Sequence, residues 1–280
     1  MSNLPCKLSF ELFPTNKQFE NNKISNTIQK LKEYNPSYIS VTFGAGGSES
    51  YKNSKSLIKY LRESNIEVVP HLTCFHLNKP QIFNMLQYFI SLGINKLIIV
   101  RGDIPKDIRN YKVCFNYAYQ LIDYIRQISG DYFHITVAAY PEFYPESKTL
   151  DEDIDNLKQK IDAGANHIIT QYFYSIDAFY HFQKMCIDND IKVPITAGIM
   201  PIANYQKLKK FSSICQADIP KWLDKRLAEY QYNSDIFNNY SCDIVTKLCY
   251  GLIQMKIHGL HFYTLNQAEA SENIIKKLLQ

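Results

Sequence analysis

Glu11 lies in Ser-Phe-Glu-Leu-Phe-Pro, a lone acid among the apolar residues of a core-like run. Burying an unpaired carboxylate is costly, and desolvation raises its pKa, so such a group suits general-acid work near neutral pH. Its alternative role is structural, as partner to a basic residue elsewhere. A second acid ends the run Leu97-Ile98-Ile99-Val100-Arg101-Gly102-Asp103. Residues two apart in an extended chain share a face, so Arg101 and Asp103 can lie together, with Gly102 allowing close backbone approach. Arg101 would hold Asp103 ionised while burial drives Glu11 toward neutrality, which divides two acids between two tasks. A plain ion pair is the alternative. His71, in Pro-His-Leu-Thr, ends another run. Alone it is more often a satisfied core histidine than a ligand, and the HxH pattern of barrel hydrolases is absent, so no metal is expected. Asp153, Asn156 and Lys160 fall at i, i+3 and i+7, one stripe of a helix. Such a stripe is usually a solvated face; beside an active site it can grip the ribose or phosphates of a nucleotide.

These residues act together only if one architecture gathers them. Around eight short apolar runs punctuate the chain: LSFE, YISVTFG, EVVPHLT, KLIIVRGD, HITVAAYP, HIITQYF, PITAGIMP and LHFYTLN. Buried parallel strands read as such continuous runs, and most of these are separated by stretches with helical periodicity. Nearly all end in a polar or aromatic residue, so Glu11, Thr42, His71, Arg101, Asp103, Tyr140, Gln171 and Tyr263 are expected on one rim, where barrel enzymes keep their chemistry. Helices are predicted over 16–34, 50–63, 80–92, 111–129 and from about 150, where Thr149-Leu150-Asp151-Glu152 has capping-box spacing. The long helical stretch 204–258 contains Ile219-Pro220 and reads as two or three helices before the last strand. Eight strands in 280 residues predict a (β/α)₈ TIM barrel, a single domain over 1–280 with extra helices before the last strand. An open doubly wound sheet is the alternative; no GxGxxG follows the first strand.

The net charge of +4 comes from dispersed Lys and Arg, which makes no case for nucleic acid. Seven cysteines contain no CxxC pair, so neither a zinc site nor a disulfide framework is suggested, and free thiols in a reducing cytosol are expected. No apolar run approaches the roughly 20 residues of a membrane helix, and no room for a signal peptide precedes the first strand. A cytoplasmic protein is expected.

An ordered set of motifs then resembles a known family. It comprises Phe10-Glu11-Leu12-Phe13-Pro14, Val41-Thr42-Phe43-Gly44-Ala45, Pro70-His71-Leu72-Thr73-Cys74, Arg101-Gly102-Asp103 and Val137-Ala138-Ala139-Tyr140-Pro141-Glu142. It continues with 160–166, Ile169-Thr170-Gln171, Gly198-Ile199-Met200-Pro201 and His261-Phe262-Tyr263-Thr264-Leu265-Asn266. Over almost the whole chain these residues resemble the methylenetetrahydrofolate reductases. The resemblance implies a flavin-containing (β/α)₈ barrel that reduces 5,10-methylenetetrahydrofolate to 5-methyltetrahydrofolate, for methionine synthesis, by ping-pong hydride transfer from NADH or NADPH through non-covalent FAD.

Residue by residue, the resemblance makes Glu11 the general acid that protonates folate N10 and opens the ring to an N5 iminium ion. Asp103 is the carboxylate beside the flavin and the pterin. Thr42, Phe43, Ala45, His71, Arg101, Gly102, Ala118, Tyr140, Asp153, Asn156 and Lys160 match positions that hold FAD. Gln171 matches a residue touching folate and nicotinamide, Phe211 one that stacks on the reductant, and Tyr263 and Leu265 others of the flavin-face pocket. Four positions depart from bacterial relatives. Tyr144 stands where a His often contacts FAD and Gln159 where an Arg is common. Lys207 and Gln267 replace a Gln and an Arg near the folate tail, removing one guanidinium there while Lys207 can supply charge. NADH is favoured over NADPH, a homo-oligomer is expected, and no S-adenosylmethionine-responsive domain is expected after the last strand. The alternatives are another flavin-dependent barrel dehydrogenase, a metal-dependent hydrolase, and an inactive barrel kept as a binding partner.

Overall fold

The computed structural model describes residues 4–14, 23–43, 48–75, 77–102, 114–142 and 146–280. Its strands are β1 (Lys7–Leu12), β2 (Tyr38–Val41), β3 (Val68–Thr73), β4 (Lys96–Val100), β5 (His134–Ala139), β6 (His167–Tyr172), β7 (Ile195–Ile199) and β8 (Gly259–Tyr263). All neighbours are parallel, and β8 pairs with β1 to close a barrel in strict chain order. The expected closed (β/α)₈ barrel forms, rather than the open sheet.

Helices α1 (Lys23–Lys32), α2 (Ser48–Glu63), α3 (Lys79–Ser91), α4 (Ala118–Ser129), α5 (Leu150–Asp162) and α6 (Ile176–Asp188) alternate with the strands. The stretch between β7 and β8 resolves into three helices, α7 (Tyr205–Cys215), α8 (Lys221–Tyr230) and α9 (Ser234–Gln254), and α10 (Glu269–Leu278) follows β8. Polar caps set many of the starts. Asn78 and Gln81 form a reciprocal capping box at α3, and Thr149 accepts the Glu152 N–H at α5. The Glu152 carboxylate reaches back to the N–H of Lys148, one residue earlier than a capping box requires. One boundary differs from expectation: α4 begins at Ala118, not 111. The Gln120 side chain accepts the N–H groups of Asn116 and Tyr117, holding the chain extended up to that point.

The main core lies between the strands and the helices around them, with Phe10, Leu72, Ile99, Val137 and Phe262 among its fully buried residues. The barrel interior is different. Val69, Ile98 and Ile169 fill part of it, with Tyr38 and Val100 against them. Beside them is a polar layer in which buried His261 hydrogen-bonds with Ser9 (2.8 Å) and Ser40 (3.4 Å) and stacks on Tyr38. Both hydroxyls occupy imidazole nitrogens, so a buried polar group is accommodated without leaving donors unmet.

The register between β6 and β7 shifts between Ile169 and Tyr172, where the Gln171 side chain accepts the freed N–H of Tyr172. At the same place Gly198 admits the Tyr263 ring. A Cβ there would stand 2.1 Å from the Thr170 carbonyl oxygen and 2.7 Å from the ring. Gly198→Ala should therefore cost about 1–3 kcal/mol by overpacking, seen as a lower melting temperature; an unchanged melt would refute this close approach.

Candidate active site at the carboxyl rim

Glu11 is the penultimate residue of β1 and points into the barrel mouth, its side chain 18% exposed. Its backbone is fixed from the other side of the closure. Thr264 donates its hydroxyl to the Glu11 carbonyl at 2.7 Å, and Asn266 both donates to the Phe13 carbonyl and accepts the Phe13 N–H. To make these bonds the chain turns through two consecutive left-handed residues, Leu265 (φ 48°) and Asn266 (φ 58°). Asparagine tolerates that conformation; leucine adopts it at a cost that the surrounding bonds must offset.

The closest group to the carboxyl is His71 of β3, with Nε2 at 3.5 Å from Oε2 and a side chain 12% exposed. This would be an ion pair only if both were charged, and burial opposes both charges. It pushes Glu11 up to about 8 and His71 down to about 4. At neutral pH the site therefore holds a protonated acid beside a neutral imidazole. His71 Nε2 is buried and has no hydrogen-bond partner among the described residues, a polar atom with a bond still to make.

To one side, between the tips of β4 and β5 and the start of α5, lies a cavity of about 360 Å³. Arg101, Ala118, Tyr140, Asp153, Asn156, Gln159 and Lys160 all line it, so the stripe of Asp153, Asn156 and Lys160 faces one cavity. Lys160 is half-buried, donates to the Ala138 carbonyl at 2.6 Å, and is lowered to about 8 by desolvation, with Asp153 opposing the shift. Arg101 donates to the Asn116 carbonyl and to Glu146 at 2.5 Å, and its guanidinium lies over the rings of Tyr117 and Phe75. Ser147 also lines the cavity, and its buried hydroxyl has no partner. Thr42, Phe43, His71 and Gly102 end β2, β3 and β4 but do not line this cavity. Phe43 is buried edge-on to Phe89. Gly102 has a left-handed φ of 79°, and a Cβ there would touch Thr73 at 3.0 Å. Asp103, Ala45 and Tyr144 lie outside the described residues.

On the other side a second cavity, about 230 Å³, gathers Lys207, Phe211, Tyr263, Leu265 and Gln267. Tyr263 is held by donation to the Thr170 carbonyl at 2.7 Å and faces the His261 ring edge-on. Gln171 lines neither cavity.

Sequence reasoning assigned no task to several residues that organise the site. Thr264 and Asn266 fix Glu11, and Ser9, Ser40 and His261 form the floor beneath it. Glu142 is a half-buried acid whose carboxylate accepts the Asp218 N–H at 2.8 Å; burial raises it to about 7, with that hydrogen bond opposing the rise. It ties the loop after β5 to that between α7 and α8. Their signal in the sequence was membership of the motifs or, for Ser9 and Ser40, of the apolar runs, without a spacing that named the partner.

Two measurements probe this geometry. Asn266→Ala removes both bonds to Phe13 and leaves alanine in a left-handed conformation, so it should cost about 2 kcal/mol in denaturant unfolding; a loss below 0.5 kcal/mol, taken as roughly the size of a neutral surface change, would refute the seam. Glu11 binds its proton more tightly folded than unfolded, so its contribution to stability is full below about pH 4.5 and is lost as pH rises through 8. Glu11→Gln should thus match wild type in melting temperature at pH 5 and exceed it at pH 9. Parallel pH profiles for the two proteins would show that the acid is not desolvated.

The chain was compared with known proteins. Residues 3–279 match the family model for methylenetetrahydrofolate reductase. A 5,10-methylenetetrahydrofolate reductase of Buchnera aphidicola from Schizaphis graminum is 34% identical over 98% of this chain and 93% of its own. That of Escherichia coli K12 is 32% identical over 97% and 90%. The Arabidopsis thaliana protein named methylenetetrahydrofolate reductase (NADH) 1 is 32% identical over 96% of this chain and 48% of its own. Among solved structures, an uncharacterized Clostridium thermocellum protein superposes with a TM-score of 0.68 at 17% identity, covering 98% of this chain and 93% of its own, which shows the shared fold. With its family model matched nearly end to end on a closed eight-stranded barrel, the chain belongs to the methylenetetrahydrofolate reductase family of oxidoreductases.

Proposed function

We propose that the protein reduces 5,10-methylenetetrahydrofolate to 5-methyltetrahydrofolate with FAD and a reduced nicotinamide in a ping-pong cycle, supplying methyl groups for methionine synthesis. The observation that carries this reading is Glu11, a desolvated carboxyl at the mouth of the barrel, protonated at neutral pH and flanked by two cavities.

The first cavity suits a flavin dinucleotide in its donor set. At about 360 Å³ it lies near the small end of the ligand-site range, roughly 300–1,000 Å³, and fits the sugar and phosphate portion better than a whole dinucleotide. Asp153 and Asn156 offer an acceptor and an amide to ribose hydroxyls, Lys160 and Arg101 offer cations to phosphate, and the unpartnered Ser147 hydroxyl has a bond to give. Thr42, Phe43, Ala45, His71, Gly102 and Tyr144 complete the binding set by resemblance. When bound, FAD supplies the two-electron relay between nicotinamide and folate.

The protein's own part is position, charge and one proton. Glu11 gives its proton to folate N10; the N10–methylene bond breaks and an N5 iminium cation forms that accepts hydride. The neutral His71 leaves that proton on the carboxyl until substrate arrives. Asp103 is assigned beside the pterin, where an anion stabilises the cation. Phe211, Tyr263 and Leu265 shape a face that stacks either the nicotinamide or the pterin, Gln171 contacts both, and Lys207 with Gln267 attends the folate tail. A barrel of the same fold from Clostridium thermocellum binds two copies of 5-methyltetrahydrofolic acid, so this architecture can carry the ligand class. The Arabidopsis relative's name favours NADH as reductant.

Glu11→Gln should bind FAD and be reduced by NADH at near wild-type rates, yet lose folate reduction by at least a hundredfold, the lower range for a general acid at about 10²–10⁴. Anaerobic stopped-flow reads both halves, and normal folate turnover by the variant removes Glu11 from the reaction. Asp153→Ala should weaken FAD about tenfold in a flavin-fluorescence titration without unfolding the barrel. Unchanged FAD affinity would separate this cavity from the cofactor.

A further inference from the structure

The cavity between the tips of β4 and β5 and the start of α5 carries more negative charge than positive. Among the described residues, Arg101 and Lys160 line it together with three carboxylates, Glu146, Glu152 and Asp153. A pyrophosphate is itself anionic, so those carboxylates oppose the ligand that the cations would attract. We propose that Glu146 competes with the cofactor's phosphate for the Arg101 guanidinium, and thereby sets how tightly FAD is held. This rests on the FAD-dependent function proposed above.

The guanidinium of Arg101 is firmly placed. Its Nε donates to the Asn116 carbonyl at 2.9 Å, and its plane lies over the rings of Phe75 and Tyr117. The remaining contact is of another kind. Nη1 donates to Glu146 at 2.5 Å, with the arginine side chain 21% exposed and the glutamate 54%. Carboxylate and phosphate oxygens make the same demand on a guanidinium, a charge-assisted bond in the plane of its fork. A phosphate that approaches this edge meets the carboxylate at close range, and one of the two anions must give way.

Of the three carboxylates, Glu146 is the one placed to yield. Glu152 and Asp153 belong to the first turn of α5, where the helix dipole favours an acid. Glu152 also accepts the Lys148 N–H at 2.7 Å, and Asp153 acts on Lys160. Glu146 stands before α5, outside any helix or strand, with more than half its side chain in water. Its neighbour Ser147 brings to the same cavity a buried hydroxyl that has no partner among the described residues. A phosphate received there takes the Ser147 hydroxyl and the Arg101 fork as Glu146 turns out to solvent. An ion pair so exposed is weak, so the competition tunes affinity and does not shut the site.

The test is the release of FAD from the full chain. Flavin-loaded protein is diluted in steps, and flavin fluorescence at each plateau gives Kd for wild type and two variants. Glu146→Gln keeps the shape of the side chain and removes its charge. It should hold FAD about fivefold more tightly than wild type, the scale of a partly exposed ion pair. Glu152→Gln makes the same change of charge in the same cavity but leaves the Arg101 contact in place, and should gain clearly less. Unchanged or looser binding by Glu146→Gln overturns the competition, because a carboxylate that merely orients Arg101 is missed when it is removed. Equal gains in the two variants overturn it as well, since net charge alone then accounts for them. In either case FAD binding by wild type leaves the proposed function standing; a wild-type chain that binds no FAD overturns both.

Discussion

A carboxyl group held away from water, with no cation beside it among the described residues, is the constraint on which this molecule turns. Glu11 sits where the barrel opens, and its nearest titratable neighbour, His71, is itself driven to neutrality by the same burial. Had the neighbour been a lysine or arginine, the acid would be ionised and unable to give a proton near neutral pH. The site avoids this by placing its cations, Arg101 and Lys160, in a cavity to the side, and Arg101 is already engaged there with Glu146. Charge is thus segregated: a neutral, proton-bearing acid at the mouth, and charges of both signs in the side cavity, where Arg101 and Lys160 stand with Glu146, Glu152 and Asp153.

Segregation requires rigid placement, and the barrel supplies it through unusual means. The floor beneath Glu11 is polar rather than aliphatic, with His261 bridged between two serines from neighbouring strands. The wall toward the cavity of Phe211 depends on the missing side chain of Gly198, which lets Tyr263 reach the Thr170 carbonyl. The Glu142 carboxylate then links the loop after β5 to the segment following α7. Each device uses a motif residue that contacts no reacting atom.

Much of the fold was legible because its signals are local. Continuous apolar runs marked the strands, and Thr149 marked the start of α5. The stripe of Asp153, Asn156 and Lys160 was legible for the same reason, since helical spacing alone puts it on one face. Glu11 stood out as an acid inside a core strand. What the sequence could not disclose were pairings across the closure: Thr264 with Glu11, Asn266 with Phe13, His261 with Ser9 and Ser40. No periodicity connects residues so far apart. The start of α4 was misjudged because Gln120 reaches back to cap it, a side-chain choice that propensity does not encode. Asp103, Ala45 and Tyr144 fall outside the described residues, and their assignment rests on resemblance.

The seam that fixes Glu11 joins residues 253 positions apart. Before the last strand docks, the acid is an ordinary solvated side chain with an ordinary proton affinity. Its raised proton affinity is therefore a property of the closed circle of strands, and no open arrangement of the same segments would share it.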